Sequence, residues 1–155
     1  MNVLAIQVVG RIIPSTKEWM EPVLTTLFPA LANNLVTSQS NARVAAEGVM
    51  ETIRECVEPR LLLPVFCNTA EFGNPRLKPL LTASLVDMVE PAYQECPRVV
   101  TKYVTKLAFQ QVSETKIEIK AANRQLLAKL YHILGEDLFS PQLINQPTGA
   151  DQSPL

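Results

Sequence analysis

Charge excess and aromatic side chains are both scarce in this sequence. Its 155 residues include 14 basic and 15 acidic side chains, and only 6% of its residues are aromatic. Nonspecific binding to nucleic acid normally needs a strong basic excess, and single strands are held by stacked aromatic side chains. We therefore expect no nucleic-acid partner. Hydrophobic residues make up 47% of the chain, which favours a packed domain over a disordered segment.

Long apolar runs are also missing. No stretch approaches the roughly 18 apolar residues that a membrane-spanning helix requires, so we expect no membrane association. Residues 1–9 are apolar, but they have neither a basic region before them nor a small-residue cleavage site, and they do not fit a secretory signal. These features predict a soluble protein of the cytoplasm.

Cysteine and histidine are too few and too widely spaced for a metal or catalytic site. Cys56, Cys67 and Cys96 contain no C-x-x-C pair, and their odd number indicates reduced thiols. His132 has no residue at ligand spacing and is interpreted as a surface or packing side chain. No glycine-rich phosphate loop, nucleophile elbow or carboxylate pair with an evident base occurs. We therefore predict no catalytic residue, no metal, no cofactor and no enzymatic activity.

What the sequence does contain is a helical repeat. Asn41-Ala42-Arg43-Val44 follows a polar run and opens an apolar helical pattern, and Asn74-Pro75-Arg76-Leu77 does the same. Lys116-Ile117-Glu118-Ile119 is a looser copy, and a fourth copy without its turn stands at the N-terminus. The aligned positions, 33 to 42 residues apart, are Val3, Val44, Leu77 and Ile119. This spacing is typical of α-solenoids, in which helix pairs bury their apolar faces against neighbouring pairs.

Prolines and polar turns divide the chain into seven predicted helices, and no stretch alternates like a strand. The helices cover residues 2–13, 19–36, 42–57, 60–70, 77–89, 98–112 and 117–134. Antiparallel neighbours follow from the short turns between them. Residues 141–155 are rich in Pro, Gln, Gly and Ser and are predicted to form a disordered tail after a domain of residues 1–140.

Several details of these helices are also predicted. Pro29 is expected to kink the second helix, and Pro64 to lie in the first turn of the fourth. Pro91 and Pro97 are expected to bracket the connection before the sixth helix, and Gly135 is expected to end the last helix. The third helix is expected to bury Val44, Ala45, Gly48, Val49, Ile53 and Cys56, and the small residues at 45, 46 and 48 would admit a close neighbour.

Three motifs give the chain its resemblance to a known family. They are Asn41-Ala42-Arg43-Val44-Ala45-Ala46, Pro59-Arg60-Leu61-Leu62-Leu63-Pro64 and Gly73-Asn74-Pro75-Arg76-Leu77-Lys78. A proline-kinked first helix, a short turn and a second helix opening with Asn-x-Arg-aliphatic resemble HEAT repeats. Within that class, residues 2–140 resemble a TOG domain, the tubulin-binding HEAT array, and are similar to its CLASP and crescerin branch. The resemblance implies an all-α, HEAT-like α-solenoid of antiparallel helix pairs with about three and a half repeats.

The resemblance also implies a binding surface. In TOG domains the turns inside the helix pairs line up along one edge and contact the tubulin heterodimer. Mapped here, that edge consists of turns 37–43, 71–78 and 113–120. The implied tubulin-binding residues are Arg43, Arg76, Lys78, Lys116 and Lys120. Because tubulin is acidic, a basic edge on a nearly neutral domain fits such a partner. The implied function is a non-catalytic tubulin- or microtubule-binding module of a regulator in the cytoplasm, the cytoskeleton or the cilium and its axoneme.

The sequence departs from the TOG pattern in two respects. A complete TOG domain has more repeats than this sequence, which begins inside one, so we expect a truncated isoform or part of a longer protein. The tryptophan that grips tubulin in the family lies in the turn of the first repeat, which is absent here. Trp19 begins a first helix at the opposite edge and does not inherit that role. It is interpreted as covering the seam between repeats, with a partner anchor as the alternative.

Other interpretations remain open at this point. Each basic residue can be a solvated charge at a helix start, and Arg43 and Arg76 can also pair with a carboxylate of the neighbouring repeat. The alternative function is a general HEAT scaffold that binds other proteins on its concave face or seam without tubulin affinity. A third hypothesis is that the chain has lost the tubulin grip and keeps only an oligomerisation or cargo role.

Overall fold

The computed structural model describes residues 3–12 and 20–140, which form helices joined by short turns, with no strand among them. Helices α1 to α5 are Val3–Ile12, Met20–Asn33, Ser40–Cys56, Pro59–Phe72 and Lys78–Glu95. Helix α6 consists of Pro97–Val99, the π-helical turn Val100–Val104 and Thr105–Gln110, and helix α7 is Ile117–Leu134. The predicted all-α class is confirmed.

The helices are arranged in two layers. In one layer α1 packs against α3, and α5 packs against α7. In the other layer α4 contacts both α2 and α6. Short turns join α2 to α3, α4 to α5 and α6 to α7, and α1 takes the place of the second helix of a preceding pair. This is the predicted HEAT-like arrangement of helix pairs.

The hydrophobic core lies between the two layers and runs through all three pairs. Phe28 on α2 and Phe66 on α4 are buried, with ring centroids 4.7 Å apart. The core continues through Leu85 on α5 and Leu126 on α7, both 0% exposed. Burial of one such side chain contributes about 1.5–3 kcal/mol, so this continuous core is the main support of the fold.

Small residues allow α1 to approach α3 closely. A Cβ atom added at Gly10 would lie 3.0 Å from Cγ2 of Val49, and Ala46 is fully buried beside it. The predicted close approach at Ala46 is therefore confirmed. Gly48, predicted to share that role, is exposed and would have no neighbour within 4 Å of an added Cβ, so its assignment was wrong.

The buried face of α3 also differs from the predicted face. Val44 is 65% exposed, whereas Leu77 and Ile119, its aligned counterparts, are buried. The true stripe of α3 has the same spacing as that of α7, and the matching residues are Ala42, Ala46, Val49 and Ile53 against Ile119, Asn123, Leu126 and Leu130. The predicted alignment of α3 with the other repeats is therefore wrong by two residues. Alanine is only weakly hydrophobic, so the two alanines of the buried stripe are less conspicuous in the sequence than the exposed Val44.

Two prolines are placed differently from expectation. Pro64 lies well inside α4 and not in its first turn, and Pro91 lies inside α5, which continues to Glu95. The turn before α6 is therefore the single residue Cys96, and Pro97 opens α6. A proline inside a helix leaves one carbonyl without its helical donor, but Pro91 is exposed, so water can reach that carbonyl.

The remaining predictions about the fold have mixed outcomes. Gly135 ends α7 with a φ of 62°, as predicted. Pro29 lies inside α2, and the kink expected there stays a prediction. Trp19 and the segment 141–155 lie outside the described residues. The predicted seam role of Trp19, the disordered tail and the domain boundary at residue 140 stay predictions.

Candidate functional site

Three turns, one inside each helix pair, lie side by side along one edge of the fold. They are residues 34–39 between α2 and α3, 73–77 between α4 and α5, and 111–116 between α6 and α7. The first turn touches the second, and side-chain bonds at its flanks join the second to the third. We call these turns, with the helical residues that flank them, the turn edge. It corresponds to the edge mapped from the sequence.

A salt bridge ties the second turn to the third. Nζ of Lys78 lies 2.7 Å from Oε1 of Glu114, and the two side chains are 23% and 26% exposed. Close by, Nε2 of Gln110 donates a hydrogen bond of 3.1 Å to Oε1 of Glu71. The charge of Lys78 is therefore already matched by a carboxylate of the neighbouring repeat. The inter-repeat pairing considered for Arg43 and Arg76 is in fact made by Lys78.

Buried polar groups fix the third turn onto its neighbours. Oγ1 of Thr82 on α5 donates a hydrogen bond of 3.1 Å to Oε1 of Gln111. Nδ2 of Asn123 on α7 donates one of 2.9 Å to the carbonyl oxygen of Ala108 on α6. Because these side chains are buried, leaving one without its partner would cost free energy. The third turn is held in a defined position relative to the second.

Arg43 braces the first turn from within. Its guanidinium donates a hydrogen bond of 3.0 Å to the carbonyl oxygen of Thr37, six residues earlier, and the side chain is half-buried. No ion pair involves Arg43 within the described residues. Its position on the edge agrees with the sequence mapping, but its main contact closes its own turn.

Three cations of the turn edge project into solvent. Arg76, Lys116 and Lys120 are exposed, and their side chains make no hydrogen bond or ion pair with any described residue. Asn74 fixes the turn around the first of them, since its Oδ1 accepts a hydrogen bond of 3.0 Å from the backbone N–H of Arg76. Glu118 is exposed on the same stretch, so the edge carries more positive than negative charge without being uniformly basic.

Exposed apolar side chains accompany these cations, and the sequence analysis missed them. They occur at all three turns and are Val44, Phe72, Val112 and Ile117, between 61% and 79% exposed. A sequence analysis based on periodicity assigns an apolar residue near a helix end to the hydrophobic core. Phe72 and Ile117 lie outside the buried stripes of α4 and α7, and this position relative to the stripe is the feature that indicates their exposure. Apolar anchors surrounded by charge are common in protein interfaces.

Cys67, Cys96 and His132, the side chains considered as candidates for chemistry, lie outside the three turns. Cys67 is buried, and burial raises the pKa of its thiol, with a smaller contribution from the charge of Glu71. Burial likewise raises the pKa of the half-buried Cys96. His132 is exposed. Among residues 3–12 and 20–140 no three His, Cys, Asp or Glu side chains cluster as metal ligands would.

A helix that spans a membrane must be both long and apolar. None of the helices within residues 3–12 and 20–140 combines the length and the apolar character that crossing a bilayer demands.

Curated proteins similar in sequence to the chain are named for microtubules. TOG array regulator of axonemal microtubules protein 1 from Homo sapiens is 26% identical over 157 aligned residues. The protein of the same name from Mus musculus is also 26% identical over 157 residues. Each alignment covers 95% of this chain. The predicted resemblance to the crescerin branch is confirmed. No family model matches the chain.

The similarity covers only a small part of each relative. The chain spans 9% of the length of the human and mouse proteins. The alignment therefore corresponds to one local region of each of these two longer proteins. The names of these relatives describe regulators of axonemal microtubules and not enzymes.

Proposed function

We propose that this chain is a non-catalytic, TOG-like module that binds the tubulin heterodimer or the microtubule through its turn edge. It would act within a regulator of the cytoskeleton, in the cytoplasm or at the axoneme of a cilium. The sequence relationship to two axonemal microtubule regulators supports this role.

One observation carries the proposal. Arg76, Lys116 and Lys120, which have no partner among the described residues, share the turn edge with the exposed side chains of Phe72 and Ile117. The turns that hold them are fixed by the Lys78–Glu114 salt bridge and by buried hydrogen bonds. A surface of this kind needs little ordering before it binds, which favours affinity.

The chemistry of this surface suits an acidic protein partner. Exposed cations attract a negatively charged surface and accelerate its association, although each contributes little affinity on its own. The apolar side chains supply the area that must be removed from water for stable binding. Phe72 is 78% exposed and has most to gain from being covered.

The proposal is tested by gel filtration of the chain with unpolymerised tubulin, at low and at raised salt. The wild-type chain is expected to co-elute with tubulin, more weakly at raised salt because ions screen the exposed charges. The variant R76E/K116E/K120E replaces attraction by repulsion at three exposed sites. We expect its affinity for tubulin to fall by about tenfold or more.

A matched variant controls for net charge. Arg11, Arg60 and Arg98 are exposed at helix ends away from the turn edge. The variant R11E/R60E/R98E changes the net charge equally and should bind tubulin nearly as well as the wild type. Equal losses in both variants, or tubulin binding that survives the turn-edge reversal, would contradict the proposal.

The alternative function is a HEAT scaffold that binds other proteins without tubulin affinity. The observation that favours it is an open groove between α3 and α5, described below. An oligomerisation or cargo role is the third hypothesis. A folded chain that forms no tubulin complex at either salt concentration would favour these alternatives.

A further inference from the structure

The layer that contains α1, α3, α5 and α7 is open at one place. α5 packs closely against α7 and α1 against α3, but α3 and α5 approach each other at isolated points at most. Two adjoining cavities of about 300 and 490 Å³ occupy the gap, and Glu51 and Arg54 line both of them. We call this gap the α3–α5 groove.

The floor of the α3–α5 groove is apolar. Met50 on α3, Leu62 and Phe66 on α4, and Leu81 and Met88 on α5 line it. Higher on its walls, Leu80 is 45% exposed, and Cys56 and Leu35 are half-buried. The floor side chains are 9% exposed or less, so the apolar surface that an inserted side chain would remove from water belongs mainly to Leu80, Leu35 and Cys56.

The walls of the groove are acidic. Six carboxylates line the two cavities, namely Glu47, Glu51, Glu55, Glu58, Asp87 and Glu95. Among the described residues, the cations that line them are Arg43 and Arg54, and both are engaged within the chain. Arg43 donates to the carbonyl oxygen of Thr37, and Arg54 pairs with Glu51 at 3.2 Å.

Four of these carboxylates, Glu47 among them, have no partner within the described residues. Glu55, Asp87 and Glu95 are exposed, and none makes a hydrogen bond or ion pair with a described residue. Burial raises the pKa of Cys96, the charge of Glu95 raises it further, and the charge of Arg60, which pairs with Glu58, partly opposes this. Apolar floor and unpaired acidic walls together select a positively charged occupant.

We propose that the α3–α5 groove binds a Lys- and Arg-rich segment of a partner protein that inserts one or two apolar side chains between α3 and α5. The segment 141–155 of the chain itself contains no Lys or Arg and does not meet this requirement. The proposed site lies on a different surface from the turn edge, has the opposite charge, and does not depend on the tubulin proposal.

The test uses the full chain and three labelled synthetic peptides of equal length, followed by fluorescence anisotropy. One peptide consists of Lys and Leu, one of Glu and Leu, and one of Lys and Gly. We expect the Lys–Leu peptide to bind, the Glu–Leu peptide not to bind, and the Lys–Gly peptide to bind at least about tenfold more weakly. Equal binding of the Lys–Leu and Lys–Gly peptides would overturn the proposal, because the groove floor would then contribute nothing.

Two charge-reversal variants locate the site. E55K/D87K/E95K changes three of the four groove carboxylates that lack a partner and should weaken Lys–Leu peptide binding by about tenfold or more. E118K/E136K/D137K changes three exposed acids outside the groove and should leave binding within about twofold. Equal weakening by the two variants would show nonspecific attraction and would overturn the proposal.

Nuclear magnetic resonance of the wild-type chain provides a readout that does not rely on variants. The Lys–Leu peptide should shift amide signals of residues 50–62 and 80–95. Shifts confined to residues 73–77 and 111–120 would place the peptide on the turn edge and overturn the proposal. A concentration-dependent dimer in sedimentation velocity that E55K/D87K/E95K dissociates would identify a second copy as the occupant, and would overturn it too.

Discussion

The contact between α5 and α7 and the gap between α3 and α5 lie in the same layer of helices, yet only the first is closed. The helices of the closed contact share the buried residues Leu85 and Leu126, and the Thr82–Gln111 and Lys78–Glu114 pairs tie α5 to the turn that precedes α7. The side of α3 that lines the groove carries Glu47, Glu51, Arg54 and Glu55 instead. Covering these charges with α5 would remove them from water without adequate partners, which is costly.

This difference shows how one repeat pattern yields two kinds of surface. Apolar side chains facing the next repeat close the contact and make it structural. Charged side chains at related positions leave a groove that remains accessible. The helices are similar in length in both places, so the side chains at the seam decide the outcome.

The largest loss of stability is expected from truncating a buried side chain in the contact between α5 and α7. Leu126→Ala removes a fully buried side chain of α7 and should lower the free energy of unfolding by about 3 kcal/mol. Leu80→Ala, in the wall of the groove, removes a side chain that is 45% exposed and should cost less than about 1 kcal/mol. Urea unfolding followed by circular dichroism measures both. Similar losses would mean that the two places do not differ as described.

A smaller effect is expected from the buried hydrogen bond at the third turn. Thr82→Val leaves Oε1 of Gln111 without its donor in a buried place and should cost about 1–2 kcal/mol. Ser84→Ala on the same helix removes an exposed bond to the carbonyl oxygen of Leu80 and should change stability by less than about 0.5 kcal/mol. Unfolding in urea compares the two variants. Equal effects would argue against a structural role for the Thr82–Gln111 bond.

The inter-repeat salt bridge is expected to contribute still less. A double-mutant cycle of K78M and E114Q should give a coupling energy of about 0.5–1 kcal/mol, because both side chains are partly shielded from water. The Glu51–Arg54 pair borders the open groove, and its glutamate is 66% exposed. Its own cycle should give about 0.3 kcal/mol. A larger coupling energy for Glu51–Arg54 than for Lys78–Glu114 would contradict the view that the closed contact is the more strongly stabilised of the two places.

The smallest perturbation is chemical labelling of the free thiols. Cys56 lines the groove and is half-buried, whereas Cys67 is buried. Burial shields Cys67 from the reagent and raises the pKa of its thiol, which lowers the small fraction of reactive thiolate present near neutral pH. A thiol reagent followed by mass spectrometry should label Cys56 in the folded chain and Cys67 only after unfolding. Early labelling of Cys67 would show that α4 is less well packed than described.

Helix identity was predictable from the sequence because long apolar stripes specify it, as Leu24, Phe28 and Leu31 do in α2. Predictions failed where the buried stripe consists of weakly hydrophobic residues, and where a proline did not end its helix. The alanines of α3 gave less signal than exposed Val44, which shifted the alignment by two residues. Pro91 was expected to stop α5, but an exposed proline leaves a carbonyl that water can satisfy.

The site was less predictable than the fold because pairing is a property of the folded chain. Nothing near Lys78 in the sequence indicates that Glu114, 36 residues later, would bind it. The same holds for the exposure of Phe72 and Ile117, since apolar residues beside a turn resemble core residues in a periodicity analysis. The family resemblance indicated the edge, and the structure distinguished its tied cations from its free ones.

Hydrogen–deuterium exchange of the chain with and without unpolymerised tubulin tests the central claim most directly. It reports on the turn edge and the α3–α5 groove in one experiment. Tubulin is expected to slow exchange in residues 73–77 and 111–120 and to leave residues 54–62 and 84–95 unchanged. Protection confined to the groove segments, or a tubulin complex with no protection at the turn edge, would contradict the account.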